Sequence, residues 1–362
     1  MVAWRLRRIL AAARHLCRRL LRPLRRCADG TSVGLVRPLR PHGNGELPGP
    51  RARQAPAGAT DPRLLDDILF DALDSLKLPQ AHGIPTDILE RLERLFDAPG
   101  EGADYAVCET TLRLRWLFYL DPKWVIERII PFLDLEHPRS EPAWNGFLHT
   151  TELPRPELFA LLKPHFLKAF PHSSSWAWDD RPIRRLNEFL VVACFWCLND
   201  DRYISYAEAR AALQQATEQG REHSIWFLMR IVNDLKKWRT FGKPFIQKAW
   251  PRELKFQTAT SSRNFAHLAE EAGNHFPDVV KTVLPLLGPV TDAGMLIYGG
   301  TRDGNALAAR FPAAMLSLLD RVIPNEPRQP PHNLRQMLDM IVDAEPTLRQ
   351  DEHWLRLDAL AG

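Results

Sequence analysis

Apolar side chains recur every third or fourth residue through most of the sequence after residue 60, and this spacing constrains the fold more than any other feature. In "DPRLLDDILFDALDSLKL" (residues 61–78), Leu64, Leu65, Ile68 and Leu69 fall on one face of a helix. No stretch combines apolar/polar alternation with the β-branched enrichment that is typical of strands. The sequence therefore predicts an all-α protein.

Residues that cap helices punctuate this pattern. Ser205 followed by Glu208 is a capping-box pattern, in which each side chain satisfies a backbone N–H at the helix start. Gly220 suits the end of the same helix, because glycine readily adopts the left-handed conformation that terminates helices. We therefore predict one helix between Ser205 and Gly220.

Three helices are predicted to begin at a proline, after Asp121, Phe276 and Phe311. Proline stiffens the first turn of a helix without removing a needed N–H donor. Two of these helices also carry a second proline near their end, Pro131 and Pro285. Repeated short helices of one design predict an irregular HEAT-like stack of antiparallel helices.

The first 60 residues differ sharply in charge from the rest. They hold thirteen arginines and two acidic residues, a net charge of +11, whereas the other 35 basic and 42 acidic residues give −7. We interpret residues 1–60 as an Arg/Pro-rich arm and linker, disordered on this composition. Three roles stay open for it: a basic amphipathic helix on lipid, a transit peptide, or no selected fold. Residues 61–362 are predicted to form the α-helical repeat-like domain, with a possible sub-boundary near residue 240.

Cysteine usage and hydropathy bear on the compartment. The five cysteines are irregularly spaced and odd in number, which does not indicate a disulfide framework and favours a reducing, cytoplasmic compartment. No run of about 18 apolar residues predicts a membrane-spanning helix. An acidic body argues weakly against a dedicated nucleic-acid surface, so nucleic-acid binding remains uncertain.

The pair Cys194 and Cys197 has the C-x-x-C spacing of zinc and redox sites. It lies in the apolar segment "EFLVVACFWCLND", and no second Cys or His pair follows at zinc-finger spacing. Redox pairs need an exposed, electropositive helix start. We therefore interpret both cysteines as buried core residues, and we predict no metal site.

The Gly-dense loop "GGTRDGN" (residues 299–305) has neither a phosphate-loop nor a dinucleotide-binding pattern. A helix-to-helix turn is the simpler interpretation. The alternative is a nucleotide- or small-molecule-acting enzyme that uses the loop at residues 292–305 with His149 or His275. No catalytic or cofactor-binding residue is predicted, and no cofactor.

A segment rich in Trp and Arg is the strongest candidate for recognition. Trp and Arg are favoured anchors of protein interfaces, although Trp stacked on Arg within the fold would explain the same residues. The predicted interaction surface consists of Trp176, Trp178, Arg181, Arg184, Arg185 and, from the Gly-dense loop, Arg302.

The segment "PAWNGFLHTTELPRPELFALLKPHFLKAF" (residues 142–170) poses the choice between a site and a packing corner. Its polar candidates include His149 and Glu152, but its prolines are predicted to break the chain into short pieces there. Those prolines lie at positions 142, 154, 156, 164 and, just beyond, 171. We interpret Trp144 and Phe147 as a plug inserted under a helix from Pro156 to Phe170.

This segment and a later one resemble the C-terminal helical region, a domain of unknown function, of large bacterial proteins. Many of those proteins carry a sirtuin-like domain and are associated with antiphage defence. The resemblance covers roughly residues 105–360. The matching positions are Trp144, Phe147-Leu148, Leu158-Phe159, Lys163-Pro164, Trp250-Pro251, Ser261-Ser262, Leu268-Ala269, Ala272-Gly273, Phe276-Pro277 and Leu284-Pro285-Leu286.

The NAD-cleaving part of that family is expected upstream, and residues 1–104 lack its Gly-rich fingerprint and its length. The resemblance therefore implies the helical region alone, without catalytic residues to carry over. We expect a non-catalytic scaffold or sensor domain that acts through protein–protein contacts, self-association or ligand sensing. Association with membranes or nucleic acid through the Arg-rich arm is a further alternative.

Overall fold

The computed structural model describes residues 62–176, 178, 180–290, 307–327 and 331–362, with side chains from residue 69 onward except that of residue 235. These residues form helices and connecting loops, and no strand occurs among them, which confirms the all-α prediction. The α-helices are α1 (Pro62–Ser75), α2 (Thr86–Phe96), α3 (Glu101–Leu112), α4 (Leu114–Leu120), α5 (Pro122–Trp124), α6 (Ser140–Leu148), α7 (Pro156–His172), α8 (Asp180–Trp196), α9 (Tyr206–Gln215), α10 (Glu218–Leu235), α11 (Lys243–Lys248), α12 (Ala259–Glu271), α13 (Phe276–Val283), α14 (Leu307–Arg310), α15 (Pro312–Val322), α16 (Leu334–Ala344) and α17 (Glu352–Ala361).

The chain divides into two compact units. The described part of the N-terminal unit comprises residues 62–132 and 142–152, and the C-terminal unit comprises residues 133–141 with the described residues from 153 on. The predicted boundary at residue 61 and sub-boundary near 240 stay predictions. The predicted arm, residues 1–60, lies outside the described residues.

In the N-terminal unit, α3 packs on α1 and on α2. Gly146 of α6 permits a close approach to α3, because a Cβ atom at this position would lie 2.0 Å from the carbonyl oxygen of Cys108. Trp144 and Phe147, on the same helix, are fully buried and pack edge to face with their ring centroids 5.6 Å apart. Their burial agrees with the plug interpretation, while insertion under α7 stays a prediction.

The helix at Pro122 shows what the repeated prolines do. The Asp121 carboxylate caps it, accepting from the Trp124 backbone N–H with an N···O distance of 3.0 Å. The chain continues as a π-helical turn, Val125–Ile129, and then as a 3₁₀ turn, Ile130–Leu133. Pro131 lies in that 3₁₀ turn, where its missing N–H is tolerated more easily than within an α-helix.

The same design recurs in the C-terminal unit. Helix α13 has Pro277 in its first turn and gives way to a 3₁₀ turn at Leu284–Leu286, which contains Pro285. Helix α15 begins at Pro312, so the predicted proline-led starts of α5 and α15 are confirmed, whereas α13 begins one residue earlier, at Phe276. Helices α13 and α15 pack together, and the rings before their prolines, Phe276 and Phe311, stack with centroids 6.0 Å apart.

Packing in this unit mostly joins helices that are close in sequence. Helix α10 lies between α8 and α12, and contacts continue from α12 to α13, α15, α16 and α17 in turn. Such local packing is typical of helical repeat proteins. The HEAT-like arrangement itself stays a prediction.

The helix starts follow the predicted chemistry more closely than the helix ends. The Ser205–Glu208 capping box is present at the start of α9. The predicted stop at Gly220 is wrong, since α9 ends at Gln215 and Gly220 lies in the first turn of α10. Gly220 is instead a contact position: a Cβ atom there would lie 2.6 Å from Nδ2 of Asn187 on α8.

Prolines 164 and 171 do not break the chain as predicted. Helix α7 is continuous over Pro156–His172 and contains both. An interior proline costs roughly 3 kcal/mol of helix stability, and burial of this helix offsets that cost. The buried side chains on α7 are Leu158, Phe159, Leu162, Phe166, Ala169 and Phe170.

No helix in the described parts of the chain is both long and apolar enough to span a bilayer.

Candidate functional site

The two tryptophans of the predicted surface lie together just before α8. The ring centroids of Trp176 and Trp178 are 4.5 Å apart with planes inclined by 53°, and His172 lies 6.1 Å from Trp176. Both tryptophans are half-buried. The indole Nε1 of Trp178 is enclosed and has no hydrogen-bond acceptor among the described residues. This pair offers an aromatic surface that is only partly covered by the fold.

Asp180, the first residue of α8, connects this surface to α10. Its Oδ1 accepts a hydrogen bond from Gln219 Nε2 at 2.7 Å and lies 2.9 Å from His223 Nε2. Its Oδ2 lies 3.9 Å from Arg184 Nη1, one turn further along α8. The Asp180 side chain is 53% exposed and that of His223 17%, so this polar group is partly open to solvent.

Asp180 thus makes a contact between two helices. Gln219 and His223 stand about forty residues from Asp180 in the sequence. Sequence reasoning missed both residues. No local pattern distinguishes them from ordinary polar residues on a helix surface, because only the packing of α10 on α8 brings them to Asp180.

The arginines of the predicted surface do not share one environment. Arg181 is exposed and Arg184 is half-buried. Arg185 is 3% exposed and pairs with Glu188 at 2.9 Å, with its guanidinium 5.6 Å from the centre of the Phe189 ring. Placing Arg185 on an interaction surface is therefore wrong: successive residues of a helix point about 100° apart, and this one points into the core.

The last member of the predicted surface, Arg302, lies outside the described residues, as does the whole Gly-dense loop at residues 292–305. Of the predicted surface, Trp176 and Trp178 contact each other, and Arg181 and Arg184 follow them in the chain at the start of α8 with exposed and half-buried side chains. We call these four residues the Trp–Arg surface.

Cys194 and Cys197 lie at the end of α8. Cys194 is 1% exposed, as expected of a core residue, whereas Cys197 is half-buried. Burial is the main cause that raises the pKa of both thiols, and neighbouring acidic groups raise both further. At Cys197, the positive charge of Lys163 partly offsets this increase. Because the thiolate is the reactive and metal-binding form, both sulfurs are held in their unreactive state.

Among the described residues, no group of three or more His, Cys, Asp or Glu side chains could hold a metal ion. His149 Nδ1 lies 2.7 Å from the carbonyl oxygen of Asn145 in its own helix, and His275 ends the 3₁₀ turn Gly273–His275. The enzymatic alternative depends on the loop at residues 292–305 and stays a prediction.

Chemically, the Trp–Arg surface is suited to recognition. Large aromatic rings with exposed guanidinium groups supply contact area, cation–π stacking and hydrogen-bond donors at low cost in side-chain entropy. Asp180 is held by Gln219 and His223, which fixes the start of α8 on which the two arginines lie.

Comparison with known proteins gives one distant relative. Over 177 residues, 47% of this chain, it is 27% identical to the uncharacterized protein y4cA of Sinorhizobium fredii, and the aligned segment is 15% of that protein's length. No protein-family model matches the chain, and no solved structure matches it.

Proposed function

We propose that this protein is a non-catalytic helical scaffold or sensor domain that binds a protein partner, or a second copy of itself, through the Trp–Arg surface. The observation that carries the proposal is the half-buried pair Trp176–Trp178, which the exposed Arg181 follows in the sequence. Tryptophan is usually covered more completely in a folded core, and a partly covered pair next to arginine is a typical interface anchor.

The order of helix packing supports the scaffold part of the proposal. In the C-terminal unit, helices mostly contact their neighbours in sequence, and equivalent phenylalanines of α13 and α15 stack. We propose a HEAT-like stack on this basis. Stacked helices of this type present extended surfaces for other proteins.

The biological setting proposed here is a bacterial antiphage-defence protein acting in the cytoplasm. It rests on the resemblance at positions such as Trp144, Lys163-Pro164 and Trp250-Pro251. Two of these positions contribute to packing in the structure, since the side chains of Trp144 and Trp250 are at most 1% exposed. The relative y4cA is uncharacterized and adds no function, although it is a much longer protein, as that resemblance would require.

Photocrosslinking tests the proposed interface directly. A photoreactive amino acid in place of Arg181 should crosslink to one partner protein or to a second copy of the chain, and Trp176→Ala should remove that product. The same amino acid in place of Arg321, an exposed arginine of α15, is the matched control and should give no such product. A crosslink that is equally strong at both positions, or that survives Trp176→Ala, would contradict the proposal.

A further inference from the structure

A second cationic region lies in the C-terminal unit, around the chain that leads from α11 to the 3₁₀ turn Leu254–Phe256. The region is built from Arg210, Arg221, Lys248, Arg252 and Lys255, and we call it the basic surface. The intervening acid, Glu253, accepts a hydrogen bond from Gln214 Nε2 at 2.5 Å and keeps its negative charge, which acts on Lys255. This concentration of positive charge contrasts with the net −7 of residues 61–362.

Two of these arginines converge on one carbonyl oxygen. Arg210 Nη2, from α9, lies 3.5 Å from the backbone oxygen of Gln247, and Arg252 Nη2 lies 2.9 Å from the same atom. The two nitrogens are therefore at most 6.4 Å apart, the sum of the two distances. Like charges held this close repel each other unless an anion lies between or beside them.

Most N–H donors of Arg210 and Arg252 have no acceptor among the described residues. Each guanidinium has five N–H donors, yet within the described chain neither Arg210 nor Arg252 pairs with a carboxylate. Arg210 Nε is enclosed and lacks an acceptor there. An anion could supply acceptor oxygens only to the outer N–H groups of the two guanidinium groups, since the enclosed Nε is closed to solvent.

Lys248 adds a positive charge near the start of α9. Its Nζ lies 5.7 Å from the ring centre of Tyr206, which is one turn before Arg210 on α9. The hydroxyl of Tyr206 is enclosed and has no hydrogen-bond partner in the described residues, and burial raises the pKa of this phenol to about 12. The tyrosine therefore stays protonated and does not add negative charge to the surface.

We propose that Arg210 and Arg252, assisted by Lys248, bind the phosphate group of an anionic ligand. Two guanidinium forks match the several acceptor oxygens and the double negative charge of a phosphate. A single carboxylate would neutralise only one of three positive charges. This site is separate from the Trp–Arg surface, and neither proposal depends on the other.

Chemical modification of arginine tests the proposal, because the rate of modification can be measured separately for each arginine. Phenylglyoxal modifies exposed guanidinium groups, and peptide mass spectrometry measures the rate at each arginine of the full chain. We expect inorganic pyrophosphate at millimolar concentration to slow modification of Arg252 at least fivefold, and to leave Arg321 unchanged. Acetate at equal ionic strength should protect neither residue.

The test variant is Arg210→Gln, which keeps a polar side chain and removes one of the two guanidinium groups. It should reduce the pyrophosphate protection of Arg252 to less than twofold, whereas Arg321→Gln should leave that protection intact. Protection of Arg252 by acetate equal to that by pyrophosphate, or full pyrophosphate protection in Arg210→Gln, would overturn the proposal.

A second arm identifies the source of the phosphate. Leu254 is 81% exposed beside Arg252, where it could enter a lipid layer. If the phosphate belongs to a lipid headgroup, vesicles that contain phosphatidic acid, whose phosphomonoester can carry two negative charges, should protect Arg252, and Leu254→Ser should weaken this protection. Protection by pyrophosphate alone would assign the site to a soluble phosphate compound. A failure of both ligands to protect Arg252 would refute the site.

Discussion

Trp144 tests packing at the scale of a single residue. It is fully buried in the N-terminal unit and packs against Phe147. We expect Trp144→Ala to lower the free energy of unfolding by about 3–5 kcal/mol, because it removes a large apolar side chain and leaves a cavity. Denaturant titration followed by circular dichroism measures the change.

The control for this prediction is His149→Ala, one turn further on. His149 is half-buried and its ring nitrogen bonds only within its own helix segment, so we expect a change below about 1 kcal/mol. If Trp144→Ala proved as stable as His149→Ala, the packing interpretation of residues 142–170 would fail.

Single residues also show which parts of a site can be predicted from sequence. The partial exposure of Trp176 and Trp178 was predictable, since two tryptophans separated by one residue in a polar segment are conspicuous. The burial of Arg185 was not, because its neighbours Arg181 and Arg184 carry the same charge and only the packing of the helix separates them. No sequence pattern around His223 indicated its contact with Asp180.

At the scale of helices, Glu93 of α2 links two elements of the N-terminal unit. Its carboxylate is bound by the Arg128 guanidinium and accepts a hydrogen bond from Trp124 Nε1 at 3.2 Å. The hydrogen bond from Arg128 lowers the pKa of Glu93, burial opposes this, and Trp124 adds to the lowering.

This link predicts a pH-dependent contribution to stability. A carboxyl group whose folded-state pKa is lowered stabilises the fold above its unfolded-state pKa, near 4.5, and this stabilisation is lost as the pH falls through the folded-state value. We expect Glu93→Gln to cost about 0.5–1 kcal/mol at pH 7, since the pair is partly exposed. The difference from the unmodified protein should shrink steadily below pH 4.5. A constant difference from pH 7 to pH 3 in urea titrations would contradict this assignment.

Two glycines make a matched pair for helix contacts. A Cβ atom at Gly146 would meet the main chain of α3, whereas at Gly220 it would meet the side-chain amide of Asn187. We expect both Gly→Ala variants to destabilise the protein, Gly146→Ala by about 3 kcal/mol and Gly220→Ala by about 1–2 kcal/mol.

The second variant offers a rescue. Asn187→Ala removes the obstacle, so Gly220→Ala should cost less in that background, while Gly146→Ala should cost the same with or without Asn187. Thermal unfolding of the three single and two double variants measures both couplings. Rescue of Gly146→Ala, or no rescue of Gly220→Ala, would show that the contacts are misassigned.

Helix starts were more predictable than helix ends, for a physical reason. A start uses local chemistry, as in the capping box at Ser205 and the prolines that open α5 and α15. An end depends on what the helix packs against: α7 runs through Pro164 because its buried aromatic side chains hold it, and Gly220 serves a neighbouring helix.

For the whole molecule, the fold class follows from the period of the apolar residues, and the structure confirms it. The division into compact units near residues 132 and 152 had no counterpart in composition. Both units are helical and similarly apolar, so only contacts that are distant in the sequence separate them. The possible sub-boundary near residue 240 remains a prediction.

The central claim is that this chain is a scaffold and has no catalytic activity of its own. The most direct measurement is turnover by the purified full-length chain, assayed with NAD and with single- and double-stranded nucleic acids. We predict no product above that of a mock purification. Turnover that survives stringent purification and is abolished by a point substitution in this chain, such as His275→Ala, would contradict the claim.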